Sequence, residues 1–274
     1  MTSAGPSDLE EAKTYRAVVS YDGTNYHGWQ VQPKDWSVQA DIEQAIRVVT
    51  GETVSILGAG RTDAGVHALG QVVSFRLRTR IPTERLGDVI NARLQGAALL
   101  HRLDEAPSDF HARYDACWRE YRYLIAKERS AVLHRFAHVP HQWPNLELMQ
   151  RSVKILVGQH DFRAVSRARE EPYECDVHFA RWEPWEHGYA FHVRANRFLY
   201  RMVRFLVGNC LEIGGGGKPV GHFSELLKSG ERRRSAPPAP PQGLFMVAVG
   251  YDPAWPEIDL PIVPGYGAPM APRS

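Results

Sequence analysis

GAGRTDAGVHALGQ, residues 58–71, is the most unusual stretch of this 274-residue chain, and its neighbours decide how it is read. It follows one apolar run, TVSIL at 53–57, and leads into another, GQVVSFRL at 70–77, both with the β-branched character of strands. The loop between them sets an arginine, a hydroxyl, a carboxylate and a histidine (Arg61, Thr62, Asp63 and His67) among Gly58, Gly60 and Gly65, which permit tight backbone. On the residues alone, three readings compete: Asp63 caps nearby amides in a structural turn, the glycines cradle a phosphate, or Asp63 is a catalytic carboxylate. The phosphate loop is the weakest, because the spacing matches neither GxxxxGK followed by a hydroxyl nor a GxGxxG that opens a helix. A loop positioned by a rigid scaffold is a usual seat of chemistry.

Outward from the loop, the two halves of the chain show a similar order of elements. Residues 14–23, TYRAVVSYDG, read as a strand that ends in a turn at Asp22-Gly23. Ser37 stands where it can cap a helix whose stripe is Val38, Ile42, Ala45, Ile46 and Val49, with Gly51 as its stop. A second amphipathic helix carries Leu86, Val89, Ile90 and Leu94, and AALLHRL at 97–103 returns as a strand. Strand–helix–strand–strand–helix–strand is the order of a ferredoxin-like unit. The second half restarts with a strand at 118–127 and a helix capped by Asn145, running through Leu146, Met149, Val153 and Leu156 to Gly158. Strands at 177–185 and 189–196 precede a long helix at 198–213, FLYRMVRFLVGNCLEI, halted by Gly214 to Gly217. A short helix at 224–228, a proline-rich connector at 236–241 and a strand at 243–252 complete the pattern. The expected fold is α/β (α+β): two ferredoxin-like, RRM-like lobes with antiparallel sheets, joined edge to edge around a central cleft. The lobes span 14–108, with the 58–71 loop, and 109–252, between a disordered lead at 1–13 and an extended tail at 253–274.

Composition narrows the class. With 43% hydrophobic and 23% charged residues the chain has ordinary globular composition. No stretch approaches the roughly 20 apolar residues of a membrane span, so no membrane partner is expected. The acidic, polar start lacks the basic and apolar runs of a secretory signal, which makes the cytoplasm the expected location. Cys117, Cys175 and Cys210 form no CxxC pair and read as buried thiols rather than as a disulfide or zinc framework. The histidines show no metal spacing either, and no metal or cofactor is expected. A net charge of +2 does not announce a nucleic-acid binder, but arginines gather late in the chain, at 163, 167, 169, 194, 197, 201, 204 and 232–234. Solvated faces or an RNA-facing groove would both look like this.

GRTDAGVHA, residues 60–68, resembles the active-site signature of the tRNA pseudouridine synthase A family residue for residue. SYDGTNYHGWQVQ (20–32), FHARYDACWREYRY (110–123), FLYRMVRFLVG (198–208) and GLFMVAVGY (243–251) are similar to that family in the same register. The stretches 163–175 and 229–241 and the two ends are individual. The resemblance implies a pseudouridine synthase fold with a positively charged cleft, and a homodimer that shares tRNA across subunits. The substrate it implies is uridine at positions 38–40 of the anticodon stem-loop. It also assigns roles: Asp63 as nucleophile, Tyr121 as the ring stacked on the target base, and Arg204 as the ion-pair partner of Asp63. Arg61 would open the helix and flip the base, with Thr62 beside it on the substrate, and Arg197 and Arg201 would contact phosphates.

These residue types suit the reaction. The C1′–N1 bond breaks, the uracil turns and C5 joins C1′, so no redox cofactor is called for. Asp63 can attack C1′ or take a proton from C2′, and the sequence leaves both open. Burial alone would favour a neutral acid, which a guanidinium beside the carboxylate opposes. Arg197, Arg201 and Arg204 fall at i, i+4 and i+7 on one face of the expected 198–213 helix, opposite Val203, Leu206, Val207 and Cys210. Base–aromatic stacking is worth roughly 1–3 kcal/mol, enough to hold a loose uracil. His67 reads as bonded to backbone.

HRLD at 101–104 opens the signature of the ribosomal large-subunit pseudouridine synthases, but it continues EAPSDF without their threonine, serine and glycine. Asp104 therefore reads as a solvated strand-end residue. Two rival classes remain. A catalytically silent RNA-binding protein with two RRM-like lobes would need RNP-type aromatics, which are missing. A glycosidase-like hydrolase would need two carboxylates acting together, and the loop offers one.

Overall fold

A computed structural model describes residues 11–33, 35–94, 96–252 and Trp255. Among these residues nine strands form one sheet in the order β4-β1-β3-β9-β5-β8-β7-β6, with a short β2 on β3. The first half supplies β1 (Lys13–Tyr21), α1 (Val38–Thr50), β2 (Leu57–Gly58), β3 (His67–Leu77), α2 (Thr83–Asn91) and β4 (Ala98–Ala106). The second supplies β5 (Ala116–Ala126), α3 (Leu146–Ser152), β6 (Gly158–Asp161), β7 (Glu174–Trp185), β8 (Gly188–Ala195), α4 (Met202–Gly214), α5 (His222–Ser229) and β9 (Leu244–Tyr251).

Each half has the ferredoxin-like strand order, β4-β1-β3-β2 in one and β9-β5-β8-β7 in the other, with β6 added outside β7. All pairings are antiparallel except β3 with β9, where the halves meet edge to edge through His67 with Phe245 and Ala68 with Met246. That join is possible because β2 and Ala59 cover only Val72 to Ser74 of β3 and leave its edge open at His67 and Ala68. One apolar core runs through both halves, with Trp29, Ile42 and Phe75 in the first and Tyr123, Trp182 and Phe191 in the second.

Local signals explain the helices that begin where the sequence placed them. Ser37 Oγ accepts the Ala40 N–H (3.2 Å), and Gly51 closes α1 in the left-handed region at φ 77°. Asn145 Oδ1 does the same for the Leu148 N–H at the start of α3 (3.1 Å). α3 is shorter than its apolar stripe, because residues 153–156 tighten into a 3-10 turn.

Four expectations are corrected. Cys175 and Cys210 are buried, but Cys117 is exposed at the start of β5, where its Sγ reaches the Asp115 carbonyl (3.8 Å). TVSIL is not a strand over its length: the Ile56 N–H donates to Glu43 Oε1 of α1 (2.9 Å), and only Leu57 and Gly58 pair with β3. The 198–213 helix begins four residues late, at Met202. Arg201 sits in the left-handed region (φ 62°, ψ 10°), and the Tyr200 carbonyl accepts the Arg167 N–H (2.9 Å). Arg197, Arg201 and Arg204 therefore do not form one helical stripe. Asp104 is not simply solvated: Oδ2 accepts from Arg102 Nε (2.7 Å) and Trp255 Nε1 (2.9 Å). Apart from Trp255, which is buried, the expected tail at 253–274 lies outside the described residues, as do residues 1–10 of the lead.

Candidate active site

The 59–66 loop leaves β2 and enters β3, and nearly every part of it is held by groups from outside. The Gln71 side chain grips Gly60 at both ends, donating to its carbonyl (2.6 Å) and accepting its N–H (3.3 Å). The Trp29 N–H donates to the Thr62 carbonyl (3.1 Å), and the Thr62 hydroxyl shares a hydrogen bond with buried Tyr21 (2.8 Å). Gly28, at φ 94°, lies so close that a Cβ there would stand 2.7 Å from the Thr62 carbonyl oxygen. At the far end, His67 accepts the Gly23 N–H at Nδ1 (3.0 Å) and donates from Nε2 to the Arg135 carbonyl (2.9 Å). Asp22 bonds Arg135 and Thr24 next to this ring. Burial opposes its charge, but the His67 ring beside it and the bonds from the Thr24 N–H and hydroxyl hold its carboxyl well below the usual range. His67 is thus a structural group with both nitrogens used.

Asp63 is the carboxylate this scaffold presents. Its Oδ2 lies 2.6 Å from Arg204 Nη1 and 3.6 Å from Arg201 Nε, and the paired side chains of Asp63 and Arg204 are only 15% and 11% exposed. Arg204 is itself fixed, because its Nε donates to the Ala239 carbonyl (2.8 Å) and its own carbonyl accepts the Ala239 N–H (2.9 Å). The proline-rich connector is bolted along α4: Ser235 and Ala236 bond Asn209, and a Cβ at Gly208 would stand 2.0 Å from the Pro237 carbonyl oxygen. Arg201 Nε is buried with no hydrogen-bond partner among the described residues.

The loop forms part of the wall of a cavity of about 1310 Å³. Arg61, Thr62, Asp63, Tyr121, Arg197, Arg201 and Arg204 all line it, which brings together the residues to which the resemblance gives a role; His67 and Asp104 lie outside it. Tyr121 is 8% exposed and meets Phe198 edge-on at 5.0 Å. Burial, reinforced by Tyr21, pushes its hydroxyl up and keeps it protonated. Among the described residues no three His, Cys, Asp or Glu side chains cluster as metal ligands would, and no helix is long and apolar enough to cross a membrane.

Residues 17–115 and 153–252 match the sequence model of the tRNA pseudouridine synthases. The chain belongs to that family. tRNA pseudouridine synthase A of Chlorobaculum tepidum is 42% identical over 242 residues, covering 87% of this chain and 98% of that one. Its namesake from Acetivibrio thermocellus is 38% identical over 244 residues, covering 87% and 100%. Pseudouridine synthases are isomerases, and the RNA-binding alternative without catalysis is not favoured.

Some parts of this synthase site escaped the reading of its sequence. Arg119, in the same segment as Tyr121, is buried without a carboxylate and spends its guanidinium on the carbonyls of Ala59, Arg113, Ala116 and Asn196. Burial lowers its pKa. It ties the 59–66 loop to two other walls of the cavity. Gln71 carried a usable signal, a lone amide inside an apolar strand. The connector carried none, because its prolines say only that it is extended.

Proposed function

We propose that this chain isomerises uridine to pseudouridine at positions 38–40 of the tRNA anticodon stem-loop, in the cytoplasm, as a homodimer and without a cofactor. The observation that carries the reading is the Asp63–Arg204 pair: a charged carboxylate fixed by a guanidinium inside a large arginine-lined cavity that also holds Tyr121. Asp63 acts on the ribose, either by attacking C1′ or by removing the C2′ proton, and N1 leaves. Tyr121 holds the freed uracil by stacking while it turns. C5 then bonds C1′ as Asp63 either leaves C1′ or returns the proton to C2′; C5 gives up its own proton and N1 gains one, so atoms balance with no redox step. Arg61, exposed at the loop tip, assists base flipping, with Thr62 bracing it through Tyr21. Arg197 and Arg201, which both line the cavity, meet the phosphates.

Tritium release from tRNA carrying C5-tritiated uridine tests the reading, because the label leaves only when C5 is bonded. Wild-type protein should release it, and Asp63→Asn should bind the same tRNA while release becomes undetectable. A variant that retains more than about a hundredth of the wild-type rate, some 2.7 kcal/mol of barrier, would overturn the assignment of Asp63.

A further inference from the structure

The cavity is larger than the target nucleotide requires. At about 1310 Å³ this open cleft exceeds the roughly 300–1,000 Å³ of a small-molecule pocket, which leaves room for neighbouring nucleotides beside the target. Among the exposed aromatic side chains of the described residues, Tyr114 (76% exposed) and Tyr200 (53%) line this cavity, whereas Trp36 does not. The two rings come from different segments, the turn before β5 and the turn before α4, and each is braced by its neighbours. The His111 ring lies 4.3 Å from that of Tyr114 at 32° and the Arg113 guanidinium 5.7 Å from the same ring, while the Arg201 guanidinium lies 5.0 Å over that of Tyr200. The backbone beneath each ring is also tied. His111 Nδ1 accepts the N–H groups of Arg113 and Tyr114 (3.1 and 3.2 Å), and the Tyr200 carbonyl accepts the Arg167 N–H (2.9 Å).

We propose that Tyr114 and Tyr200 are stacking platforms for unpaired nucleotides next to the target uridine, a proposal that rests on the tRNA reading above. A ring already fixed from behind loses little freedom when a base lands on its open face. Arg61, Arg113, Arg197 and Arg201 around the same cavity supply the charge that draws a polyanion to it. The platforms choose no base, since every base offers a π-face. They favour RNA in which the neighbours of the target are already unstacked.

The test compares affinity for one unmodified tRNA across salt concentrations, in wild type and in Tyr114→Ala, Tyr200→Ala and the two matching Phe variants. Each Ala change should weaken binding about five- to a hundredfold, and each Phe change should keep it within about twofold. The slope of log affinity against log salt should stay the same in all five proteins, because stacking releases no counterions. Melting temperatures should hold, since both side chains are exposed and help no core. Wild-type affinity in both Ala variants would overturn the platforms, as would Phe variants as weak as the Ala ones, which would assign the contact to the hydroxyls. Affinity reads the platforms and product analysis reads Asp63, so the two proposals fail separately. Wild-type protein that binds tRNA but makes no pseudouridine removes the catalytic reading alone.

Discussion

Arg201 is the one non-glycine among the described residues with positive φ, and it touches the edge of the Asp63 pair. A left-handed non-glycine residue costs about 1–3 kcal/mol and persists where its surroundings impose it, often at functional sites. Arg201→Gly should therefore melt no lower than wild type while tRNA affinity falls, as thermal melts and binding isotherms would show. A clear loss of stability would mean that the guanidinium supports the fold more than the ligand. At this scale the sequence was legible where chemistry is local: the GRTDAGVHA loop announces its carboxylate. It was silent on Arg201 as a neighbour of that carboxylate, because a helix that begins at Met202 rather than Phe198 swings the residue onto Asp63. The same shift ends the argument that drew Arg197, Arg201 and Arg204 as one stripe.

Elements set by their own caps could be read directly, and elements set by distant partners could not. Ser37, Gly51 and Asn145 carry their instructions with them, whereas 53–57 is decided by Glu43 and the start of α4 by Arg167. The 20–29 segment shows how tightly one element can depend on another. Gly28→Ala would force a Cβ against the Thr62 carbonyl at a φ that alanine avoids. It should cost at least about 1 kcal/mol in urea unfolding and lower kcat more than it raises KM, since the displaced group is the loop beneath Asp63. The opposite result is expected at the end of the sheet. Asp104→Ala loses bonds to Arg102 and Trp255, about 1 kcal/mol of stability, and should leave turnover within a few-fold because Asp104 is no part of the cavity. Abolished turnover in a folded Asp104→Ala protein would move the active site to the second motif.

For the whole molecule, the net charge of +2 conceals an uneven distribution. Six arginines line the cavity, whereas Arg181 and Arg194 elsewhere are paired with Glu183 and Glu120, so the average says little about either place. Strand alternation puts His192 on the sheet face away from Tyr121, beside Arg122, Arg181 and Glu183. Burial, and then the two guanidiniums, push its imidazole down to about 3. The unfolded chain takes up this proton near pH 6.5 and the folded chain only near 3, so between those values stability falls as pH falls. His192→Gln should shrink the loss between pH 7 and pH 5 by about 2 kcal/mol, read from urea unfolding at each pH; an equal loss in the variant would assign the acid sensitivity to other groups. β9 adds a constraint of timing. It follows every other strand in the chain and yet lies between β3 and β5, and Met246 on it packs where a Cβ at Gly60 would go. During synthesis the two half-sheets therefore wait with open inner edges until this segment clears the ribosome. A nascent chain holds the arginines before it holds the finished pocket, so the capacity to modify RNA waits on this one segment.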